Sequence, residues 1–366
     1  MKLNSNQKEI QQYLREKYKK DSIKWPSHIK VEIDKENEKI KTVKMTLTKE
    51  AIGLATKSKD NKNMQDNDAC FEGWAVALKA AGIEKINLNV NGISSSTDFK
   101  TGKGHYGRFL YRALRFSEQY EWFHLCGNKE NPKTLKGAVK AFDNFLTNKN
   151  LYNNVPDNIA GKNGKIECYI EALMASNDGK NAFLSSLEKA KPEGKRSGIT
   201  PDQQVNRQLP VGLFLDEVTD DNQIFTGGAS AIDLWTLKDN VLQVIELKAD
   251  NPMVGIITEI FFYSNYMYDL MNKKEDKDVF SLTRPKNKQG DGKNRGYDVI
   301  CEKAAKNKSE GKITKIEGFM LANDYHPLIT NEVVDVLKNG NKSTGIEYFK
   351  AEYDFDVTIK KNKRTR

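Results

Sequence analysis

The chain has 366 residues, 38% of them hydrophobic, with 59 basic against 50 acidic side chains for a formal net charge of +9. That length allows two domains, each with its own core. No run approaches the roughly 18 to 20 uninterrupted apolar residues of a membrane helix, and the opening Met1-Lys-Leu-Asn-Ser-Asn-Gln7 lacks the apolar segment of a secretory signal, so a cytoplasmic protein without membrane contact is expected.

In chain order, Gln7 to Tyr18 reads as an amphipathic helix, and Ile29 to Ile33 and Thr42 to Leu47 read as strands. Residues 57–67 are polar and read as a mobile loop. Ala69 to Ala81 reads as a helix carrying Phe71, Trp74, Ala75 and Leu78, and Ile86 to Val90 as a strand whose apolar residues alternate onto one face. A helix from His105 to Trp122 places Arg108, Arg112 and Arg115 on one face, flanked by Tyr111, beside the apolar row Phe109, Ala113 and Phe116. Such a face suits a phosphate backbone. It suits equally a charged surface paired with Glu118 or other acids.

Cys70, Cys126, Cys168 and Cys301 are scattered without paired spacing, so reduced thiols are expected rather than a zinc site or disulfides. The four histidines form no ligand cluster, and His326 reads as structural. Residues 189–198, Lys-Ala-Lys-Pro-Glu-Gly-Lys-Arg-Ser-Gly, are charged, broken by Pro and Gly, and without periodicity. They predict a boundary between a mixed α+β unit, residues 1–190, with a recognition or regulatory role, and a second unit, residues 198–366. Thr200-Pro201-Asp202 has the form of a helix start, with Thr200 as N-cap. Gly227 and Gly228 either admit a phosphate backbone or make the turn into the next strand.

The stretch from Ala231 to Lys248 is the most informative. Two apolar runs flank the polar break Lys238-Asp239-Asn240, the pattern of a β-hairpin. Asp233 lies inside the first run, and Glu246 and Lys248 emerge on one face of the second. Burying such charges is costly unless they pair or hold a metal. Other acid-x-Lys triplets, such as Asp60-Asn-Lys62 and Glu310-Gly-Lys312, lie in polar stretches; Glu246-Leu-Lys248 alone ends an apolar strand behind an acid-bearing one. A structural salt bridge on a hairpin is the plainer alternative. Downstream, Met253 to Met271 reads as a largely buried amphipathic helix, and Lys315 to Ala322 and Ile346 to Val357 as strands. The fold class is therefore α/β (α+β overall), with a C-terminal mixed sheet flanked by helices and a mixed N-terminal unit.

Asp233, twelve intervening residues, then Glu246-Leu247-Lys248 resembles the signature of the PD-(D/E)xK nuclease superfamily, the restriction-endonuclease-like fold. The resemblance implies an αβββαβ core in the C-terminal unit and Mg²⁺, or Mn²⁺, held by Asp233, Glu246 and the Leu247 carbonyl. It implies Lys248 as the catalytic cation and phosphodiester hydrolysis in duplex DNA, in a prokaryotic restriction or defence setting. Restriction-type members pair two copies to cut two strands, so a homodimer belongs to the expectation. The further Glu that many members carry on the helix before the hairpin has no counterpart at Gln203, Gln204, Asn206, Arg207 or Gln208. Asn206 or Gln204 acting through water, or Glu171, are the substitutes in reach. An RNase, a ligand-activated effector nuclease, and a non-cutting nucleic-acid-binding protein of the same fold are the competing readings.

Overall fold

The computed structural model describes residues 3–93, 98–100, 104–153, 166–200, 202–225, 230–274, 277–278, 299–300, 302–303, 313–340 and 344–353. Helix α1 (Ser5–Tyr18) opens with a reciprocal cap, in which Gln7 N–H donates to Asn4 Oδ1 and Asn4 N–H donates to Gln7 Oε1. It packs on β1 (Ile29–Glu36), which turns back as β2 (Lys39–Leu47). Helix α2 (Phe71–Ala80) then leads to β3 (Lys85–Val90), and α3 (His105–Gln119) to β4 (Phe123–Leu125). Beyond the β1/β2 hairpin the pairings are parallel, giving a mixed sheet of order β1-β2-β3-β4. Parallel neighbours need a crossover, and the buried helices α2 and α3 supply it.

Helices α4 (Leu135–Asn148), α5 (Ile166–Ala175) and α6 (Lys180–Ala190) follow, with β5 (Leu151–Asn153) after α4. Then come β6 (Val205–Pro210), β7 (Leu213–Leu215), β8 (Gln223–Phe225), β9 (Ala231–Lys238) and β10 (Val241–Lys248). Helix α7 (Gly255–Met271) and a short ribbon, β11 (Lys273–Lys274) with β12 (Lys277–Asp278), precede β13 (Lys315–Ala322), α8 (Asn331–Asn339) and β14 (Ile346–Glu352). A small antiparallel sheet joins β5, β7 and β8. The larger sheet has the order β14-β13-β10-β9-β6, antiparallel from β6 to β10 and parallel from β10 to β14. The chain thus has an α/β fold. Among the described residues no helix is long and apolar enough to cross a membrane.

Alternation along β10 divides the core. Ile245 and Leu247 join Ile170, Met174, Phe183 and Leu187 of α5 and α6 on one face of the large sheet. Leu242 and Val244 join a cluster on the other face that runs without interruption from Ile10 to Tyr348. The predicted boundary at 190–198 therefore does not separate two cores. Helices α5 and α6, assigned to the N-terminal unit, cover the C-terminal sheet. The stretch itself is pinned to that sheet, because Lys191 pairs with Glu317 and Lys195 with Glu347.

Two further expectations change. Thr200 does not cap a helix: after Asp202 the chain enters β6, paired with β9. Sheet pairing overrides the local Thr-Pro-Asp signal, and Pro210 is tolerated because β6 is an edge strand. Helix α7 is not amphipathic but buried all round, every residue except Tyr268. Within the segment read as a mobile loop, Met64 is buried and the Gln65 backbone lies so close to Gly255 that a Cβ there would sit 1.9 Å from its carbonyl oxygen.

Polar contacts tie α7 to the N-terminal helices. Arg112 of α3 donates to Glu72 of α2 at 2.5 and 2.7 Å and to the Ala69 carbonyl, while Thr258 of α7 donates to Glu72 at 2.9 Å. Tyr111 and Arg115 of α3 donate to Asp269 of α7. Phe261 packs on Phe116 and Tyr120, and Phe262 on Tyr111. Arg112→Met is expected to leave Glu72 buried and uncompensated and to lower the unfolding free energy by about 3 to 5 kcal/mol; denaturant melts giving a loss below about 1 kcal/mol would contradict the pairing. A fragment starting at residue 198 is expected to be insoluble, since it loses α5 and α6 from one face of its sheet and, on the other, the α2 and α3 surfaces that cover α7. Recovery of a soluble, cooperatively melting fragment would show that the sheet is self-sufficient.

Candidate active site

The β9/β10 hairpin closes over Asp239 and Asn240, with Asp239 in the left-handed region that such turns require. Pairing runs from Val241↔Lys238 to Ile245↔Leu234, and continuing it by one residue sets Glu246 opposite Asp233. Glu246 and Lys248 point to the α7 face, as their spacing predicts. Lys248 Nζ lies 2.5 Å from Glu246 Oε1 and 2.7 Å from Glu259 Oε2, the latter one turn into α7. All three side chains are nearly fully buried, whereas Asp233 is half-buried and accepts the Leu247 N–H at 2.9 Å. Glu246 Oε2 is buried without a hydrogen-bond partner among the described residues.

Three carboxylates thus meet one ammonium. Burial, only partly offset by Lys248, pushes the Asp233 carboxyl up to about 7, with Glu171 and Glu259 adding to the rise. Burial and then Asp233 and Glu259 hold Glu246 well above the carboxylate range. Burial opposes the charge of Lys248, but Glu246, Glu259 and Asp233 outweigh it and keep the ammonium protonated. Tyr263, one turn beyond Glu259, is kept neutral by burial and by the Glu246 and Glu259 charges, and its hydroxyl lies 3.3 Å from Ser230 Oγ.

The opposite end of the same strands shows what a balanced cluster looks like. There Lys191 lies 3.0 Å from Glu188 and 2.7 Å from Glu317, Lys238 lies 3.5 Å from Glu188, and Gln243 donates to Glu317. Burial pushes Glu188 and Glu317 upward, yet hydrogen bonds led by those from Lys191 outweigh it and leave both below the usual carboxylate range. The excess of acid is therefore a property of the Asp233 end and not of charged groups in this sheet at large.

Glu171 is the acid that the structure brings to Asp233. It accepts from Gln208 at 2.7 Å and from Arg207 at 3.3 Å. Burial raises its pKa, and its charge acts in turn on Asp233. Gln208 holds this place from a left-handed backbone at φ 56°, an uncommon conformation for a non-glycine residue and one found at constrained sites. Gln204 is exposed instead. Glu259 is the residue that reading from sequence missed, although it is the lone charged side chain between Gly255 and Tyr268, a position that demands a partner.

The arginine face does not survive as a unit. Arg112 is buried on Glu72, and Arg115 is held by Asp269 and Glu118 over the Tyr111 ring. Helix α3 packs inward on both its apolar and its arginine rows, so neither of those cations faces a ligand. Among the described residues, Arg108 alone of the three has no acid within ion-pair distance. Gly227 and Gly228 lie outside the described residues, as do Cys301 and the basic tail at 360–366. His326 stacks edge-on against Trp74 and accepts the Leu328 N–H, a structural role.

Among the described residues no three His, Cys, Asp or Glu side chains are grouped so as to hold a metal ion between them. The donor set at this end suits only a cation that takes one or two carboxylates with a carbonyl and water, the habit of Mg²⁺. Comparison with protein-family models, with curated proteins and with solved structures returned no match to this chain.

Because the folded chain holds Asp233 at about 7 against an ordinary value of 3.8, the folded state binds a proton that the unfolded state releases between those values. The stability contributed by this group therefore falls as pH rises from about 4 to about 7 and is level outside that window. Asp233→Asn still accepts the Leu247 N–H but carries no charge. Metal-free melts are expected to show the variant matching the wild type near pH 4 and melting above it at pH 8. A gap that is constant across that range would place Asp233 in an ordinary solvated setting.

Proposed function

We propose that the chain is a metal-dependent endonuclease of the restriction-endonuclease-like type that hydrolyses phosphodiester bonds of DNA. The observation that carries this reading is the gathering of three acids, Asp233, Glu246 and Glu259, around one lysine, an excess of carboxyl groups that raises Asp233 and Glu246 out of the ordinary carboxylate range. Buried carboxylates in excess call for a further cation. The order α5–α6, antiparallel β6, β9 and β10, then α7 and parallel β13, is compatible with an αβββαβ core. Asp233, Glu246 and the Leu247 carbonyl are the ligands offered to Mg²⁺ or Mn²⁺, which when bound neutralises phosphate charge and acidifies water. Lys248, held between Glu246 and Glu259, is the fixed cation that orients the attacked phosphate or the water. Glu171, steadied by Gln208, supplies the acid from the preceding helix. Duplex DNA as substrate, a restriction or defence setting and pairing of two copies are parts of the same proposal.

A second reading has an observation of its own. Lys248 already closes an ion triad with Glu246 and Glu259, an arrangement that stands without a metal and would suit a nucleic-acid-binding protein that does not cut.

Purified protein incubated with plasmid, single-stranded DNA and RNA in Mg²⁺, Mn²⁺, Ca²⁺ or EDTA separates the two. Divalent-dependent cleavage is expected in the wild type and none in Asp233→Ala or Glu246→Ala. Lys248→Gln should cut at least about 10²-fold more slowly while binding DNA normally in Ca²⁺, the usual range for losing a group placed at the transition state. Wild-type rates in either acid variant would sink the site assignment, and a wild type that binds without cutting under any ion would favour the second reading.

A further inference from the structure

Among the described residues, Arg108 is a cation with no acid in direct contact. Its neighbours on the same helical row, Arg112 and Arg115, each hold a buried carboxylate, whereas no carboxylate among the described residues lies within ion-pair distance of Arg108. Among the described residues, Arg108 Nη2 hydrogen-bonds to His105 Nδ1 at 3.0 Å. A guanidinium only donates, so this ring nitrogen accepts and the imidazole is neutral. Burial, and then Arg108 itself, lower the His105 pKa to about 4, while its interaction with the Lys62 backbone fixes the other side of the ring. His105 is also locked by packing, because its Cβ lies where any side chain on Gly53 would sit. The guanidinium is thus aimed by a rigid, uncharged holder and not by an acid that would neutralise it.

Arg108 lies one turn before Arg112, and the Glu72 carboxylate that Arg112 holds also accepts from Thr258, the chain neighbour of Glu259 on α7. Glu259 and Tyr263 of α7 favour its cationic form, with Asp66. Burial and the neighbouring Arg112 lower its pKa to about 10, so it is still a cation at neutral pH. A half-buried guanidinium with no carboxylate in direct contact is unfavourable for folding alone. It is what a phosphate site offers, since arginine matches phosphate geometry with two parallel donors.

Resting on the nuclease reading above, we infer that Arg108 is a substrate-phosphate contact, brought by helix α3 to the acid–lysine cluster of the large sheet and oriented there by His105. The ligand class is a nucleic-acid backbone phosphate adjoining the one attacked. Arg108 positions the strand and takes no part in proton transfer.

The test measures binding of a short fluorescent DNA duplex to the full chain in EDTA across a NaCl series, so that no cleavage occurs. Wild type, Arg108→Ala, Arg108→Lys and Lys140→Ala, an exposed lysine on α4, are compared. Arg108→Ala is expected to weaken binding about tenfold and to make the salt slope shallower by about one phosphate. Arg108→Lys should regain most of the affinity, and Lys140→Ala should change little. An Arg108→Ala protein that melts normally and binds with unchanged affinity and slope overturns the inference, as does an equal loss in Lys140→Ala, which would mean net charge alone. If Arg108→Ala fails to fold, Arg108→Gln and Arg108→Lys carry the comparison. A wild type that binds and is weakened at Arg108 but never cuts would remove the nuclease reading and leave the phosphate contact standing. A wild type with no affinity for any nucleic acid removes both.

Discussion

Helix α7 has no face toward water, and most of the architecture follows from that. A helix sealed on all sides must satisfy each polar side chain from a neighbour. Thr258 finds Glu72, Glu259 finds Lys248, Asn265 is met by Gln119 and the Phe261 carbonyl, and Asp269 is met by Tyr111 and Arg115. Ser264 finds no partner among the described residues. Each of these contacts names an element that has to lie beside α7, so α2, α3 and β10 are positioned by the polar groups at least as narrowly as by the aromatic packing around Phe261 and Phe262. The same sealing brings Glu259 to Lys248 and gives the site its wall.

The two ends of the large sheet apply one rule with opposite outcomes. Around Glu188 and Glu317 the lysines answer the acids, and the carboxyls are easily ionised. Around Asp233 and Glu246 they do not, and the carboxyls resist ionisation. The fold balances charge at one end of the 8-residue strand β10 and leaves it unbalanced at the other, so the difference comes from the neighbours that each end meets and not from the strand itself. The half-buried position of Asp233, next to buried Glu246, is where this cluster meets solvent.

How far this was legible from sequence depends on the range of the forces involved. The hairpin, the common face of Glu246 and Lys248, the α7 helix and the strands β1, β2, β3 and β13 follow from period and composition, which are local. The segment after Thr200 carries a genuine helix-start pattern and still becomes β6, because the partner strand β9 decides it. The arginine row is read correctly as one face, but its direction is not in the pattern: Glu72 and Asp269, distant in sequence, turn Arg112 and Arg115 inward. The charged stretch near residue 190 looks like a linker because its partners, Glu317 and Glu347, lie far downstream. Glu259 was legible in principle, since a lone acid in an apolar helix announces a missing partner.

The tie between Glu72 and Thr258 spans 186 residues, and that between Tyr111 and Asp269 spans 158. Contacts of such range place the chain among topologies that fold slowly. During synthesis, α2 and α3 leave the ribosome before the helix that covers their aromatic face in the folded protein. That helix is complete only once residue 271 has been made, a wait of roughly ten seconds or more at 5 to 20 residues per second. The arrival of α7 is therefore the step that both covers those rings and brings Glu259 to Lys248, so core and acid–lysine cluster are completed by the same element.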